Sequence, residues 1–302
     1  MPTSAPLRFT KMTAAGNDFL CVDNGAGRLD ALFDSPLMAR WASGLCCRGL
    51  GVGADGVIVV SRLETHPLAD LRARFFEPDG SEVELCGNGT ACLTQWALEK
   101  RLVAGNEVRI LTPAGLARGK QSDAEPGRVR ACIPQPHSLT RDVEVTAAGR
   151  NWRMDTAVTG VPHAVVYVED LATVDVLRSG AAIRWHPRFQ PRGINVNFVQ
   201  ILDVGRLALR TFEFGVENET LACGTGSAAA AIMSTLRFGW PEVYRRGEEP
   251  VLVDVRGGET LKIWFVTRDG IEINDVCLET RVVAVYEATL RPEFEAGLTQ
   301  IV

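Results

Sequence analysis

The chain carries one short signature twice. Residues 86–90 read CGNGT and residues 223–227 read CGTGS, and each runs into an apolar segment, ACLTQWAL after the first and AAAAIM after the second. With Cys223 set under Cys86, a constant offset of 137 residues also brings Phe75 onto Phe212 and Glu82 onto Glu219. Both halves read as a strand with aromatics, a polar Gly-containing turn, a Glu, then the cysteine turn and a helix. Three fixed letters recur easily by chance, but not with the aromatic, the Glu and the helix in register. The chain is therefore expected to contain two copies of one supersecondary unit. A cysteine entering a Gly-rich turn at a helix start is where a thiol is most readily made a thiolate. One such thiol per half predicts two bases facing one substrate atom from opposite sides. That arrangement removes a proton from one face of a carbon and returns one to the other.

A length of 302 residues is the size of about two domains. The apolar and charged fractions, 46% and 23%, allow a large buried core. A net charge of −5 with scattered basic residues leaves no footprint for nucleic acid. The longest apolar runs, 57–60 and 226–233, are too short to span a bilayer. The start MPTSAPLRFT lacks a charged-then-apolar signal, so a cytoplasmic protein is expected. Cys46 and Cys47 are adjacent and Cys86 and Cys92 lie six apart, spacings that do not suit structural zinc, so no metal is expected. Cys21, Cys46, Cys47, Cys132 and Cys277 lie in apolar surroundings and are expected as small buried hydrophobes.

Strands are expected over 7–23 around the loop AAGND, at 51–60, before the Pro78-Asp79-Gly80 turn, and as a meander over 107–133. Helices are expected at 35–48 and 90–101. Residues 134–150 are the best linker or crossover. The second half predicts strands at 165–170, 194–202 and 207–215, a helical stretch at 171–186, and a helix at 225–239 stopped by Gly239-Trp240-Pro241. Four short strands follow at 251–256, 259–267, 271–275 and 281–287, with Gly257-Gly258 a hairpin turn. Many strands and one long helix per half read as α+β. No G-x-G-x-x-G follows a strand and no P-loop Lys is present.

These residues resemble the diaminopimelate epimerase family of cofactor-independent amino-acid racemases and epimerases. The resemblance rests on KMTAAGNDFLCVDN (11–24), RGLGVGADG (48–56), DGSEVELCGNGTAC (79–92), GVPHAVVYVED (160–170), NVNFVQI (195–201) and ETLACGTGSAAAA (219–231). It implies two pseudo-repeated domains, each a barrel-like, mostly antiparallel sheet around a central helix, with the active site in the cleft. The first would span 1–135 with Cys86, with a strand contributed from 281–302. The second would span 150–280 with Cys223. The resemblance also implies a small amino-acid substrate, no cofactor and a homodimer.

An amino-acid α-proton is very weakly acidic, and without pyridoxal phosphate the developing carbanion must be stabilised electrostatically. Two helices starting at 87–90 and 224–227 would turn unpaired N–H groups and positive dipole ends toward the α-carboxylate. The substrate-binding set therefore includes Gly87, Asn88, Gly89, Gly224 and Thr225, the glycines allowing close approach. By resemblance, His163 and Glu219 assist proton exchange of Cys86 and Cys223, and Asn17, Asn88 and Asn195 bind substrate. The structural alternatives are a buried His beside Pro162, a helix-capping Glu219 and a turn-forming Asn17 before Asp18. Glu82, the repeat partner of Glu219, would share a structural role, and Asp55 and Gly56 would shape a turn.

The far end of the expected pocket departs from the family pattern. An Asn before DGSE, an Asn in GNPH and an Arg in ERG are replaced here by Glu77 with Pro78, by Val161, and by Phe214 after Glu213. The stretch FEFGVENETLAC is one residue longer than usual, and no placement of that residue supplies an Arg. A more acidic and aromatic pocket suits an amino acid with a neutral or cationic side chain, such as histidine. The alternative is a genuine diaminopimelate epimerase whose pocket uses Arg210 or Arg192. Two further alternatives are a relative with different proton-transfer chemistry, as in phenazine-type isomerases, and a non-catalytic amino-acid-binding protein. Both cysteines argue against the last.

Overall fold

A computed structural model describes residues 6–122, 125–268 and 272–299. The first half contains β1 (Arg8–Ala14), β2 (Asn17–Asp23), α1 (Asp30–Phe33), α2 (Pro36–Cys46), β3 (Gly56–Arg62), β4 (Leu71–Phe76), β5 (Glu82–Val83), α3 (Gly87–Glu99), β6 (Glu107–Thr112), β7 (Gly115–Gln121) and β8 (Arg128–Cys132). After β9 (His137–Ala147), the second half contains β10 (Arg150–Thr159), β11 (Val161–Tyr167), α4 (Val176–Arg184), β12 (Asn195–Asp203), β13 (Arg206–Glu213), β14 (Asn218–Thr220), α5 (Gly224–Phe238), α6 (Glu242–Arg245), β15 (Val251–Val255) and β16 (Thr260–Arg268). The chain closes with β17 (Glu272–Thr289) and α7 (Pro292–Thr299).

The duplication read from the sequence is a duplication of strand pairing. In the first half β2 and β3 run parallel, β3, β4 and β5 pair antiparallel in turn, and β6 joins β4 in parallel. In the second half β11 and β12 run parallel, β12, β13 and β14 pair antiparallel, and β15 joins β13 in parallel. Each half is a barrel-like α+β unit around one helix. The strands β1, β2, β6, β7, β8 and β17 lie against α3, and β10–β13 and β15–β17 lie against α5. Burial explains the composition of these helices. From Gly87 to Ala97 every residue of α3 is buried, and from Gly224 to Thr235 every residue of α5. Small residues such as Ala228–Ala231 let the sheet approach from all sides. The α5 helix ends where expected, with Gly239 left-handed at φ 61°.

The two halves close each other. Beyond β8 the chain crosses over and β9 pairs with β10. Beyond Arg281 the strand β17 crosses the other way and pairs with β1, from Ala14↔Val282 to Arg8↔Thr289. At the crossing, β8 and β17 pair with each other. Residues 134–150, expected as a linker, are thus largely strand, and the two strands expected at 271–275 and 281–287 are one. Local pattern shows no break or partner here, because β17 changes neighbours rather than direction.

The cysteines at the crossing correct the sequence reading. Cys132 and Cys277 face each other across β8 and β17 and form a disulfide rather than two unpaired apolar side chains. Cys47 is exposed just past α2, while Cys21 and Cys46 are buried. Replacing both Cys132 and Cys277 with Ser is expected to lower the unfolding free energy by about 2–4 kcal/mol, because the bridge closes a long loop. Denaturant unfolding under non-reducing conditions measures this.

Candidate active site

The two cysteine turns have nearly the same backbone. Cys86 is the N-cap of α3 with φ −126° and ψ 122°, and Cys223 is the N-cap of α5 with φ −127° and ψ 110°. Each Sγ accepts the N–H three residues on, from Gly89 and Gly226, both at 3.4 Å. Hydroxyls one residue later, Thr90 and Ser227, donate back to the cysteine carbonyls, both at 2.8 Å. The turns abut. A methyl group on Gly87 would lie 3.2 Å from Thr225 N and 2.7 Å from a Leu278 methyl, and one on Gly224 would lie 2.8 Å from Asn88 Oδ1. Glycine is required here because two helix starts meet. Their unpaired N–H groups and positive dipole ends therefore converge on one point.

Both cysteines line one cavity of about 20 Å³, together with Gly87, Asn88, Gly224 and Thr225 from the two helix starts. Asn17, Glu77, Asn195, Glu213 and Phe214 also line it, and Val161 closes one wall. This volume admits about one water, so the walls must part to admit an amino acid. Gly89 stands behind Cys86 as the N–H donor. His163 lies behind Thr225, fully buried, and does not line the cavity.

The carboxylate set against the thiols is Glu213, not Glu219. The Glu219 carboxylate is held by Arg210 at 2.7 and 2.9 Å, with Arg256 at 3.5 Å, and it does not line the cavity. Its repeat partner Glu82 is likewise bound by Arg74, at 2.7 Å. The repetition of this Glu in both halves was the available sign of a structural ion pair. Glu213, at the end of β13, was expected to hold the distal part of a substrate. It lines the cavity, and its charge also acts on both Cys86 and Cys223.

Two buried polar atoms of the cavity have no hydrogen-bond partner among the described residues. Asp55 accepts from Asn17 Nδ2 at 3.3 Å, which leaves Asn17 Oδ1 to accept from Asn88 Nδ2 at 2.7 Å. That orientation turns Asn88 Oδ1 into the site, buried and without a partner. One oxygen of Glu213, Oε2, is also buried without a partner. Asp55 itself is held by Arg48 at 2.8 Å. Asn195 is committed to the backbone, donating to Pro162 O and accepting from Phe214 N, both at 3.1 Å. It shapes the wall and positions Phe214.

Electrostatics agree with this geometry. Burial pushes the Glu213 carboxyl up to about 7 against the restraint of Thr220; Asp55 adds to the rise and the Cys223 thiol opposes it. Burial, then Glu213, hold Glu77 well above the usual carboxylate range. Burial and the charges of Glu213 and Glu77 push the Cys86 thiol up, opposed by the N–H groups of Gly89 and Asn88. Burial and Glu213 push Cys223 up as well, opposed by the Thr225 hydroxyl and the Gly226 N–H. The closed site thus favours neutral thiols, and a cation placed beside Glu213 and Glu77 would relieve both carboxylates.

The sequence model described as diaminopimelate epimerase matches residues 9–130 and 156–273. The chain is 38% identical to a diaminopimelate epimerase of Aquifex aeolicus over 292 residues, covering 95% of this chain and 99% of that one. It is 37% identical to a diaminopimelate epimerase of Chlorobaculum tepidum, covering 92% and 99%. Among solved structures, a hydroxyproline epimerase from Agrobacterium vitis with bound trans-4-hydroxy-L-proline superposes with a TM-score of 0.76 at 16% identity, covering 100% of this chain and 97% of that one. A PhzF-family phenazine biosynthesis protein from Bacillus anthracis superposes with a TM-score of 0.67 at 16% identity, covering 95% and 100%. At such identities the likeness is one of fold.

Proposed function

The chain belongs to the diaminopimelate epimerase family, and from that membership we propose that it inverts the α-carbon of a free amino acid without a cofactor, using Cys86 and Cys223 as the two bases. The observation that carries this reading is the abutting pair of cysteine-capped helix starts on one cavity. A substrate α-carboxylate fits the convergent N–H groups of the two turns. Its α-ammonium fits the two acceptors without donors among the described residues, Glu213 Oε2 and Asn88 Oδ1, with the Glu77 carboxylate on the same cavity. In turnover one cysteine, as thiolate, takes the α-proton. The electron pair left on carbon spreads into the carboxylate, where the helix starts stabilise it. The other cysteine, as thiol, gives its proton to the opposite face, so thiol and thiolate have exchanged places. Glu213, poised near neutral pH, is placed to return the proton that restores the starting pair.

Two readings of the substrate are supported by different observations. The names of the relatives support diaminopimelate. The lining of the cavity supports an amino acid with a neutral or cationic side chain, histidine among them. It contains Glu77, Glu213, Val161 and Phe214 and, among the described residues, no Arg or Lys, so a second substrate carboxylate would meet no cation there. Arg210 and Arg192, which could have supplied one, are bound to Glu219 and Glu84. Incubation with LL-diaminopimelate, L-histidine and other basic amino acids in D₂O, followed by chiral chromatography, separates the readings. Inversion of none of them overturns the proposal. Phe214→Arg is expected to raise kcat/KM for diaminopimelate about ten- to hundredfold, the effect of one charge-assisted pair. No gain would show that the distal carboxylate is held elsewhere.

The proposed assembly is a homodimer. Val283, Val285 and Tyr286 of β17 are 42%, 54% and 44% exposed, on the stretch that pairs only with β1 among the described residues. Light scattering on the purified chain tests it.

A further inference from the structure

His163 touches the reaction only through another side chain, and both of its ring nitrogens are engaged. Nε2 lies 3.0 Å from Thr225 Oγ1, and Nδ1 lies 3.1 Å from Asn197 Nδ2. The other partners of Asn197 settle which way its amide points. Its nitrogen donates to the Ala164 carbonyl at 2.9 Å, a group that can only accept, and its oxygen takes the Thr211 hydroxyl at 3.0 Å. Turning the amide over would set its oxygen against that carbonyl. Sheet register holds this arrangement in place, because Thr211 is the direct partner of Asn197 on β13 and β11 lies parallel beside β12. An amide N–H aimed at Nδ1 requires Nδ1 to accept. The ring proton therefore sits on Nε2 and is given to Thr225 Oγ1. The hydrogen of that hydroxyl is then free to point at Cys223 Sγ, 3.6 Å away.

Cys86 has no counterpart to this arrangement. Its Sγ receives the Gly89 N–H, and the position matching Thr225 is Asn88, whose amide is turned to Asn17. Burial alone pulls the His163 ring down to about 3, and no charged group acts on it, so the ring is neutral at neutral pH. The ring has no exposed surface, and its two nitrogens meet Thr225 and Asn197, neither of which titrates.

Resting on the reading of Cys223 as one of two bases, we propose that Asn197 and His163 are positioning residues that act through Thr225. Asn197 locks a neutral imidazole as an Nε2–H donor. The imidazole in turn makes the Thr225 hydroxyl a donor to the Cys223 thiolate. No proton leaves the relay. It steadies negative charge on Cys223 in the half of the cycle in which Cys223 is the base, and it makes the two cysteines unequal.

Long-range ¹⁵N NMR of histidine-labelled protein reads the tautomer without substrate, with His163→Gln assigning the signal among the four histidines. The expected result is a neutral Nε2–H ring that does not titrate between about pH 5 and pH 8, the window in which an ordinary His changes charge. Asn197→Asp is expected to draw the proton to Nδ1 and bring the ring's titration into that window. It should also lower kcat about ten- to hundredfold with little change in KM, as loss of a hydrogen bond to a charged group does. His163→Gln, whose amide can still donate, should keep more activity than His163→Ala. A wild-type ring that is Nδ1–H, or that titrates in that window, overturns the relay whether or not the variants fold. Equal rates for the Gln and Ala variants overturn it too. A wild-type enzyme that exchanges no amino-acid α-proton would instead overturn the proposed function, with the tautomer still measured.

Discussion

Replacing Cys86 with Ala is expected to lower racemisation about 10⁴-fold, the upper end of what one positioned acid–base group contributes. The variant should lose one half of the reaction selectively. Cys223 remains at its own helix start with its Gly226 and Thr225 donors. It can still remove the α-proton from the stereoisomer that presents hydrogen to its face. In D₂O, Cys86→Ala should therefore wash deuterium into one stereoisomer and not the other, without inversion. Cys223→Ala should show the opposite preference. Mass spectrometry of each pure stereoisomer after incubation checks both. Equal exchange of the two stereoisomers in either variant would sink the assignment of one thiol to each face.

Glu213→Gln is the second large effect, and it has two signatures. If Glu213 resets the thiol pair, kcat should fall about 10²-fold or more, and the pH–rate limb near 7 set by this carboxyl should disappear. Its effect on stability has the opposite sign. The folded-state pKa of Glu213 is raised from 4.5 to about 7, so the folded chain holds this proton more tightly than the unfolded chain. The associated stability is fully present below about 4.5 and is lost as pH rises through about 7. Gln carries no such charge. Glu213→Gln is therefore expected to raise the Tm above pH 7, by about 2–4 °C for each kcal/mol relieved, with the gain fading below the usual carboxylate range. Calorimetry at both pH extremes reads it. A Tm gain of the same size at low pH would show that charge is not the cause.

The parts of this molecule that repeat locally were legible in the sequence. Cys86 and Cys223, their glycines and the helices behind them follow from residues adjacent in the chain, and a shared offset exposes the duplication. Side chains placed by sheet register were not. Glu213 and Glu219 lie six residues apart on one strand–turn–strand, and only the β13–β14 pairing shows which faces the thiols and which faces Arg210. The same limit hid the Cys132–Cys277 bridge, 145 residues apart in sequence, and the contact of Asn197 with His163 across a parallel pair. Alternation along a strand tells which side chains share a face, but it does not name the neighbouring strand.

The mutual closure of the two halves has a consequence for how such a site can differ from side to side. Each half takes its closing strand from the other, as two protomers do when they exchange arms. The molecule is in effect a swapped pair written as one polypeptide, and its two cysteine-capped helix starts lie where the pair meets. Two identical chains would be bound to place the same residue at both helix starts. Joined in one chain, the halves are free to diverge. At the matching positions one now bears Asn88 turned to Asn17, and the other Thr225 turned to His163. The site proposed to act on the two faces of one carbon is thereby built from unlike halves, each open to change without the other.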